Sequence, residues 1–338
     1  MGLLSFRSGA RFVMYLAPFA GFGLGYLVEF ALEKLVSGEK KIILTKNIVG
    51  FIVLILSLMI QWDVNEYVIS TPKASANTVK DMDWIKRNTP QNSVIWTWWD
   101  YGYAFNLYSE RANVHDGGSQ TSPKTYFVAR SFSVDNPEKG WLITSFITNY
   151  GLNKVIDLIK KGAKGEEIVN RVERGEFKAP IKVPTYWVFT ADLIPKFGWI
   201  NYFGTYDFKT KTGNSGKIIM PEKCYNINER SIFCEDIGVE FDTGNKVLKA
   251  RSQEIPVRRI IMKAGDRVNE IPVRETGIDV EVVDMPNGMK VLVFVLDPSQ
   301  TDSLFNRMFI LRNYDPKFFE LVLDDFPVMV VYKVKERY

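Results

Sequence analysis

Histidine and cysteine are scarce in this 338-residue chain, which has one histidine, His115, and two cysteines, Cys224 and Cys234. One histidine cannot supply the histidine pairs of common zinc sites, and two thiolates are too few for a Cys₄ site or an iron–sulfur cluster. A Ser/His/Asp or Cys/His mechanism would rest on His115 alone. The formal charge is only +4, without blocks of lysine or arginine, so the sequence gives no indication of nucleic-acid binding. Because histidine and cysteine ligands are so few, any metal site would require carboxylates.

Two long apolar runs are present, over residues 12–28 and 47–62, and they predict membrane helices. Each run is slightly shorter than the ~20 residues that cross a bilayer, but charged flanking side chains such as Arg11, Glu29 and Lys46 can snorkel to the interface. The alternative is a buried hairpin in a soluble core. A cleavable signal peptide is less favoured, since the first run leads into charged residues rather than a small-residue cleavage site.

The loop between the two runs carries most of the nearby positive charge, in Lys34, Lys40, Lys41 and Lys46. The positive-inside rule therefore places this loop in the cytoplasm and everything after residue 62 outside it. In that location the two cysteines either close a disulfide or remain as two structural thiols, and the sequence does not decide between these alternatives.

The region after residue 62 has a mixed pattern. Helical spacing and strand-like runs alternate up to about residue 210, and an alternating β pattern with polar turns follows. The predicted helices are residues 75–87, 125–131, 141–150, 155–161 and 303–311, and the predicted core strands are residues 93–99, 185–189 and 328–334. The predicted fold class is therefore a membrane-anchored α/β protein, in which two transmembrane helices precede a mixed α/β periplasmic domain with a β-rich insertion. The predicted divisions are residues 1–62 (transmembrane), 63–210 (α/β core), 211–300 (β-rich insertion) and 301–338 (return to the core).

The most informative motif is Trp-Trp-Asp-Tyr-Gly at residues 98–102, where a strand gives way to a turn. An indole NH only donates hydrogen bonds and an ionised aspartate only accepts them, so together they satisfy both the lone pairs and the proton of one hydroxyl. The alternative is an aromatic core cluster in which Asp100 caps the following helix.

This pentapeptide resembles the signature of oligosaccharyltransferases, the integral-membrane enzymes that transfer a lipid-linked glycan to asparagine. The pattern Arg-Phe-x-x-Tyr-x-x-Pro at residues 11–18, the Gly-Gly turn at 117–118 and the segment 308–322 extend the resemblance. It covers the C-terminal half of a Campylobacter-type bacterial enzyme, and the many-helix N-terminal half has no counterpart here.

The resemblance implies an acceptor site. Trp98, Trp99 and Asp100 would bind the hydroxyl of the serine or threonine two positions after the acceptor asparagine. Residues 191–200 look like a blend of two family motifs, and Ile200 is our choice for the apolar wall that meets the threonine methyl. The alternative is that residues 192–200 form an ordinary amphipathic helix with Lys196 solvated.

The resemblance also implies a donor site. Arg11 would face the pyrophosphate of the lipid-linked donor, a task that suits an always-charged guanidinium with several donors. Its alternative role is to anchor the helix at the membrane interface. Tyr103 would lie near the first sugar, and Gln120, which stands where the family has a histidine-containing sequence, would donate to the phosphate or sugar.

The family uses Mg²⁺ or Mn²⁺, held by acidic loops of the N-terminal half, so this chain is predicted to contain no metal ligand and no catalytic residue. Asp81-Met82-Asp83 resembles part of such a site, but it lies in a predicted helix after the last apolar run. We interpret this pair as a solvated helix face.

These features predict the C-terminal portion of a glycosyltransferase for protein N-glycosylation, multi-pass in a bacterial inner membrane and facing the periplasm. Its partners would be a sequon-containing protein, a polyprenyl-pyrophosphate-linked oligosaccharide, the lipid membrane and the missing N-terminal half, without nucleic acid. The alternatives are a non-catalytic periplasmic binding or scaffold domain and another polyprenyl-dependent glycosyltransferase.

Overall fold

The computed structural model describes residues 13–35, 39–68, 74–228, 230–250, 253–284 and 291–337. The chain divides into two compact units, Met1–Lys73 and Ala74–Tyr338.

The first unit contains two helices, α1 (Val13–Leu35) and α2 (Glu39–Val68), which overlap the two predicted apolar helices. Many of their large apolar side chains are exposed, including Phe19, Phe22 and Phe51. Over the described residues, however, no helix combines the length and the apolar character that a membrane span requires. The helices are therefore confirmed, but their assignment as transmembrane segments is not.

The second unit is a mixed α/β structure. Its helices are α3 (Ala76–Asn88), α4 (Gly102–Ala104), α5 (Lys124–Ser133), α6 (Pro137–Lys160), α7 (Gly165–Glu173), α8 (Phe197–Gly204) and α9 (Pro298–Thr301). The strands before the β-rich region are β1 (Val94–Trp96), β2 (Ala112–Asn113) and β3 (Thr185–Thr190). The strands of the β-rich region are β4 (Ile218–Ile219), β5 (Cys224–Asn228), β6 (Ser231–Cys234), β7 (Val239–Asp242), β8 (Val247–Ala250), β9 (Gln253–Ala264), β10 (Arg267–Pro272), β11 (Ile278–Asp284) and β12 (Val291–Leu296). The last strands are β13 (Phe319–Asp325) and β14 (Met329–Val334).

A five-stranded sheet with the order β13-β14-β3-β1-β2 forms the centre of this unit. Strands β3, β1 and β2 are parallel, whereas β14 pairs antiparallel with β3. All six residues of β3 are buried, as expected for a strand covered on both faces. Trp187 and Phe189 enter the larger core with α5, α6 and α8, while Tyr186 and Val188 enter a second core on the side of α3.

The predicted β-rich region is present as a nine-stranded sheet with the order β4-β12-β11-β9-β8-β7-β6-β5, in which β10 pairs with β9. Cys224 lies directly opposite Cys234 in the antiparallel pair β5–β6, and the two form a disulfide. Of the two alternatives for these cysteines, the disulfide is therefore confirmed.

Local sequence signals account for several helix boundaries. The Ser75 side chain accepts a hydrogen bond from the Thr78 amide and so caps α3. The two separately predicted helices 141–150 and 155–161 both lie within α6, which has a kink at Gly151, where φ is 60°. A non-glycine residue rarely adopts that conformation, so glycine permits the break. The predicted helix 303–311 appears as a π-helical turn over Asn306–Ile310.

A buried polar contact connects this π-helical turn to the β-rich sheet. The Asn306 amide donates to the Glu281 carboxyl group on β11 at 2.7 Å, and both side chains are fully buried. Burial raises the pKa of Glu281 to about 8, and the hydrogen bond from Asn306 opposes that rise. The insertion is therefore held to the core by polar as well as apolar contacts.

Candidate functional site

The Trp-Trp-Asp-Tyr-Gly motif begins just beyond β1. Trp98 is still extended, and the chain then turns into a 3₁₀ helix over Trp99–Tyr101, followed directly by α4. Since β1 is parallel to both of its neighbours, the carboxyl ends of β1, β2 and β3 lie at the same edge of the sheet. In open α/β sheets this edge is where ligands bind. Three chain segments meet there: residues 98–103, 114–120 and 191–200.

Asp100 is held by a lysine from the segment that follows β3. The Lys196 ammonium lies 3.5 Å from the Asp100 carboxylate and 2.5 Å from that of Asp192. The Thr190 hydroxyl donates to Asp192 at 2.5 Å. The Lys196 side chain is only 30% exposed, so the alternative of a solvated lysine is wrong. The lysine instead fixes two carboxylates and leaves one net negative charge among the three groups.

The ring of Tyr101 also lies beside Lys196, with the ammonium 5.8 Å from the ring centroid. Burial raises the pKa of the Tyr101 phenol to about 12, and the charges of Asp192 and Asp100 add to this rise. Tyr101 therefore remains a neutral phenol over the physiological pH range.

The two indoles have different environments. Trp98 is 4% exposed and belongs to the larger core, whereas Trp99 is half-buried and packs against that core. Trp98 makes an edge-to-face contact with His115, with ring centroids 5.1 Å apart. The aromatic-core interpretation therefore describes Trp98 correctly, while Trp99 and Asp100 lie closer to the surface.

The segment after β2 packs tightly against the motif. A Cβ atom on Gly102 would lie 2.6 Å from the Asp116 Cα and 2.7 Å from the His115 carbonyl oxygen, so no other residue fits without a shift. A Cβ on Gly117 would lie 2.9 Å from the ring of Tyr103. Tyr103, 61% exposed, therefore lies across the Gly-Gly turn.

His115 is the buried residue that joins these segments. Its side chain is fully buried, its Nε2 lies 3.0 Å from the Thr125 hydroxyl, and Thr125 donates in turn to the Gln120 carbonyl at 2.6 Å. Its Nδ1 is buried without a partner. Burial, and then the charge of Lys124, lower the pKa of His115 to about 4. The imidazole is therefore neutral at pH 7.

This neutral histidine should make stability depend on pH. The unfolded chain takes up a proton near pH 6.5 and the folded chain only near pH 4, so stability is lost as pH falls through that window, by up to about 3 kcal/mol. We expect the wild type to lose about 2 kcal/mol more than His115→Gln between pH 7.5 and pH 5, measured by urea unfolding. Since the chain has one histidine, its NMR titration is read without overlap. An imidazole titrating near pH 6.5 in the folded protein would contradict this prediction.

The remaining predicted site residues differ in how far the structure exposes them. Ile200 on α8 is fully buried in the larger core, and Gln120 is exposed next to the Gly-Gly turn. Arg11, the predicted pyrophosphate ligand, lies outside the described residues. The structure thus brings together Trp98, Trp99 and Asp100 at one sheet edge, with Tyr103 and Gln120 on the adjoining loop.

The interpretation of Asp81 and Asp83 as a solvated pair is wrong for Asp81. Asp83 pairs with Arg87 at 2.6 Å on the surface, but Asp81 is 4% exposed. Burial, together with the charge and the hydrogen bond of Asp325, raises the pKa of Asp81 to about 7. Within the described ranges no group of three or more His, Cys, Asp or Glu side chains is arranged to hold a metal ion.

Sequence reasoning missed two residues of this site. Lys196 was left between two interpretations, and His115 was considered only as a metal ligand or a catalytic residue. Both residues could have been found from the sheet topology, because His115 follows β2 and Lys196 follows β3, and both strands run parallel to β1. The two-residue β2, however, is too short to be recognised from its sequence pattern.

The residues of this site lie in a stretch that is similar to known proteins. Residues 91–210 match the family model of the STT3/PglB/AglB core domain. A dolichyl-phosphooligosaccharide-protein glycotransferase of Methanocaldococcus jannaschii is 51% identical over 55 residues, which cover 16% of this chain and 6% of that protein. The undecaprenyl-diphosphooligosaccharide–protein glycotransferase of Campylobacter jejuni is 30% identical over 137 residues, 40% of this chain and 19% of that protein.

The structure resembles a solved domain as well. The crystal structure of the C. jejuni PglB C-terminal domain superposes with a TM-score of 0.56 at 17% identity, covering 76% of this chain and 99% of that domain. The matched stretches thus span less than a fifth of the two relatives' lengths, yet almost the whole of the C-terminal domain. These matches confirm the predicted family and the mixed α/β fold with its β-rich region. The narrower Campylobacter-type assignment is supported in part, because archaeal relatives match as well.

Proposed function

We propose that this chain, whose residues 91–210 form an STT3/PglB/AglB core domain, is the C-terminal portion of an oligosaccharyltransferase that recognises the acceptor sequon. The reaction would transfer a glycan from a polyprenyl-pyrophosphate-linked donor to the asparagine amide of N-x-S/T. The observation that carries the proposal is the meeting of Trp99 and Asp100 with Lys196 where three parallel strands end.

The acceptor hydroxyl is the group that this arrangement suits. The Asp100 carboxylate would accept a hydrogen bond from the acceptor hydroxyl, and the indole NH groups of Trp98 and Trp99 are the candidate donors to the lone pairs of the hydroxyl oxygen. Lys196 holds the aspartate in place, so the carboxylate does not have to be ordered when the acceptor binds. Ile200, one turn beyond Lys196, is the proposed wall for the threonine methyl group, and because its side chain is fully buried this contact requires the side chains that cover it to move.

Donor contacts are proposed for Tyr103 and Gln120 and, separately, for Arg11, which lies outside the described residues. Support comes from Tyr103, whose exposed ring covers the Gly-Gly turn next to Gln120. Mg²⁺ or Mn²⁺ would assist departure of the pyrophosphate in the complete enzyme. The described residues offer no ligand set that fits this ion, so we derive no step through it.

A location at a membrane, outside the cytoplasm, is a further part of the proposal. The exposed apolar side chains of α1 and α2 are suited to contact lipid, and the disulfide is typical of oxidising compartments. A sequon-containing protein, the lipid-linked oligosaccharide and an N-terminal transmembrane half would be the partners.

The proposal is tested by a transfer assay with lipid-linked donor and an N-x-T peptide, read by mass spectrometry of the glycopeptide. We expect no transfer by this chain alone and transfer by a complete enzyme that contains it. Trp99→Ala should greatly reduce that turnover, whereas Trp84→Ala on α3 should not. Robust transfer by this chain alone would refute the need for an N-terminal half. Unchanged kinetics for Trp99→Ala would refute the acceptor assignment and would favour a scaffold role for the motif.

A further inference from the structure

A pocket with a volume of about 780 Å³ lies where the β-rich sheet meets the last part of the chain. Its lining comes from the β9–β10 hairpin, the end of β11, the segment after the π-helical turn, and β13. Two of the lining side chains are cations, and both are buried: Lys263 is 5% exposed, and the Arg312 side chain is 7% exposed. The volume is within the range of small-molecule sites, roughly 300–1,000 Å³. The pocket therefore combines two buried positive charges with room for a ligand.

Lys263 occupies a core-facing position of β9. Along this strand Ile261 and Lys263 are buried, whereas Met262 and Ala264 between and after them are exposed, as the alternation of a strand requires. Lysine is almost never buried in this way unless a carboxylate pairs with it. The Lys263 ammonium instead donates to the Gly265 carbonyl, and among the described residues no carboxylate forms an ion pair with it. Its charge is therefore left without a close counter-ion.

Arg312 is held mainly by neutral groups. Its guanidinium donates to the Ile310 carbonyl at 2.6 Å and to the Asp284 carbonyl at 3.4 Å, and it lies 4.2 Å from the ring centroid of Phe326. The Asp324 carboxylate is 3.8 Å from Nε, which is too far for a hydrogen bond. The backbone carbonyls thus fix the orientation of the guanidinium, while its charge is only weakly balanced.

The acidic residues of the lining do not balance the two cations. Asp266 and Asp324 are exposed, so water screens their charges, and Asp284 meets Arg312 through its carbonyl group. Burial, and then the charge of Arg312, lower the pKa of Lys263, although the charges of Asp266 and Asp324 oppose this change. Burial also lowers the pKa of Arg312, although the charge of Asp324 opposes it. Both cations would therefore be stabilised by an anion within the pocket.

We propose that this pocket binds a phosphate group through Lys263 and Arg312. A phosphate monoester carries a charge of about −1.5 to −2 at pH 7, which matches two cations better than the single charge of a carboxylate. The planar guanidinium suits two phosphate oxygens at once, and the ammonium acts as a second point charge. The volume leaves space for the organic part of a phosphate ester. This inference does not depend on the acceptor site.

The test is isothermal titration calorimetry of the full chain with inorganic phosphate at pH 7.5 and constant ionic strength. We expect saturable binding to the wild type, and no saturable binding of acetate. Lys263→Met keeps the length of the side chain and should weaken phosphate binding by about 10- to 100-fold, as loss of a hydrogen bond from a charged group does. Arg267→Met removes an exposed cation from the same hairpin, outside the pocket lining, and is the matched control that should leave the affinity unchanged.

Thermal unfolding provides a second readout that a merely structural lysine would not give. Because an unbalanced buried charge destabilises the fold, Lys263→Met should raise the Tm by about 2–4 °C in phosphate-free buffer. Phosphate should raise the Tm of the wild type and of Arg267→Met, but not that of Lys263→Met. The wild-type lysine would then trade stability for binding.

Several results would overturn the proposal. These are the absence of saturable phosphate binding by the wild type, unchanged phosphate affinity in Lys263→Met, and equal affinity for acetate. A lower Tm for Lys263→Met in phosphate-free buffer would also overturn it, because the ammonium would then already have a counter-ion within the protein. Displacement of phosphate by glycerol 3-phosphate would support a soluble ester as ligand, and Lys263-dependent sedimentation with phosphatidic acid vesicles would support a lipid headgroup.

Discussion

Asp100→Asn should lower kcat/KM for a threonine sequon by about 10- to 100-fold in a complete transferase that contains this domain. The substitution removes the charge of the proposed acceptor for the threonine hydroxyl while keeping the size of the side chain. A hydrogen bond to a charged group contributes about 1.5–3 kcal/mol, which corresponds to this range of rates. The substitution also removes the partner of Lys196, although Asp192 still holds the lysine at 2.5 Å.

The measurement compares N-x-T with N-x-V peptides, because valine has the shape of threonine without the hydroxyl. The wild type should strongly prefer threonine, and Asp100→Asn should lose most of that preference. Asp83→Asn, an exposed carboxylate paired with Arg87 on α3, is the control and should behave as wild type. An equal loss of rate for both peptides would show that Asp100 acts on the structure of the site and not on the hydroxyl.

Trp187→Ala should cost about 3–5 kcal/mol of folding stability, a large part of the 5–15 kcal/mol of a typical domain. Trp187 is fully buried in the central strand β3, and its ring lies 5.2 Å from Phe132 and 4.8 Å from Phe319. Its indole NH donates to the Thr144 hydroxyl on α6 at 3.0 Å. Removal of the ring therefore leaves a cavity between the sheet and the helices.

Urea unfolding followed by circular dichroism measures this loss. Trp199→Ala serves as the control for tryptophan content, because an exposed side chain should change stability by less than about 0.5 kcal/mol. Trp187→Phe should fall between the two, because it keeps part of the ring volume and loses the hydrogen bond. A cost below about 1 kcal/mol for Trp187→Ala would show that the core closes around the missing ring.

Much of the fold could be predicted from local sequence. The cap at Ser75, the continuous apolar run of β3 and the alternating pattern beyond residue 210 each correspond to an observed element. The two-residue β2 was missed, and the helix predicted over residues 303–311 is present only as a π-helical turn over Asn306–Ile310. Such elements form because long-range pairing stabilises them, and local propensity carries little information about that pairing.

The candidate site, like the fold, could be predicted from local sequence only in part. The residue types of Trp98, Trp99 and Asp100 are enough to predict recognition of a hydroxyl, because donors and acceptor are properties of the side chains themselves, and this recognition stays a prediction. That Lys196 would hold Asp100 depended on β1 and β3 being parallel neighbours, which no local pattern shows.

The sequence by itself determined which chemistry is present: the scarcity of histidine and cysteine, the aromatic-acidic motif and the order of helical and β-rich regions. The tertiary structure alone decided which of these groups are charged and which face solvent. Asp81, taken for a surface acid, is buried beside a second carboxyl group, and His115 is kept neutral by burial. Burial and charge pairing are properties of neighbours far apart in the chain, so they emerge only when the strands have come together.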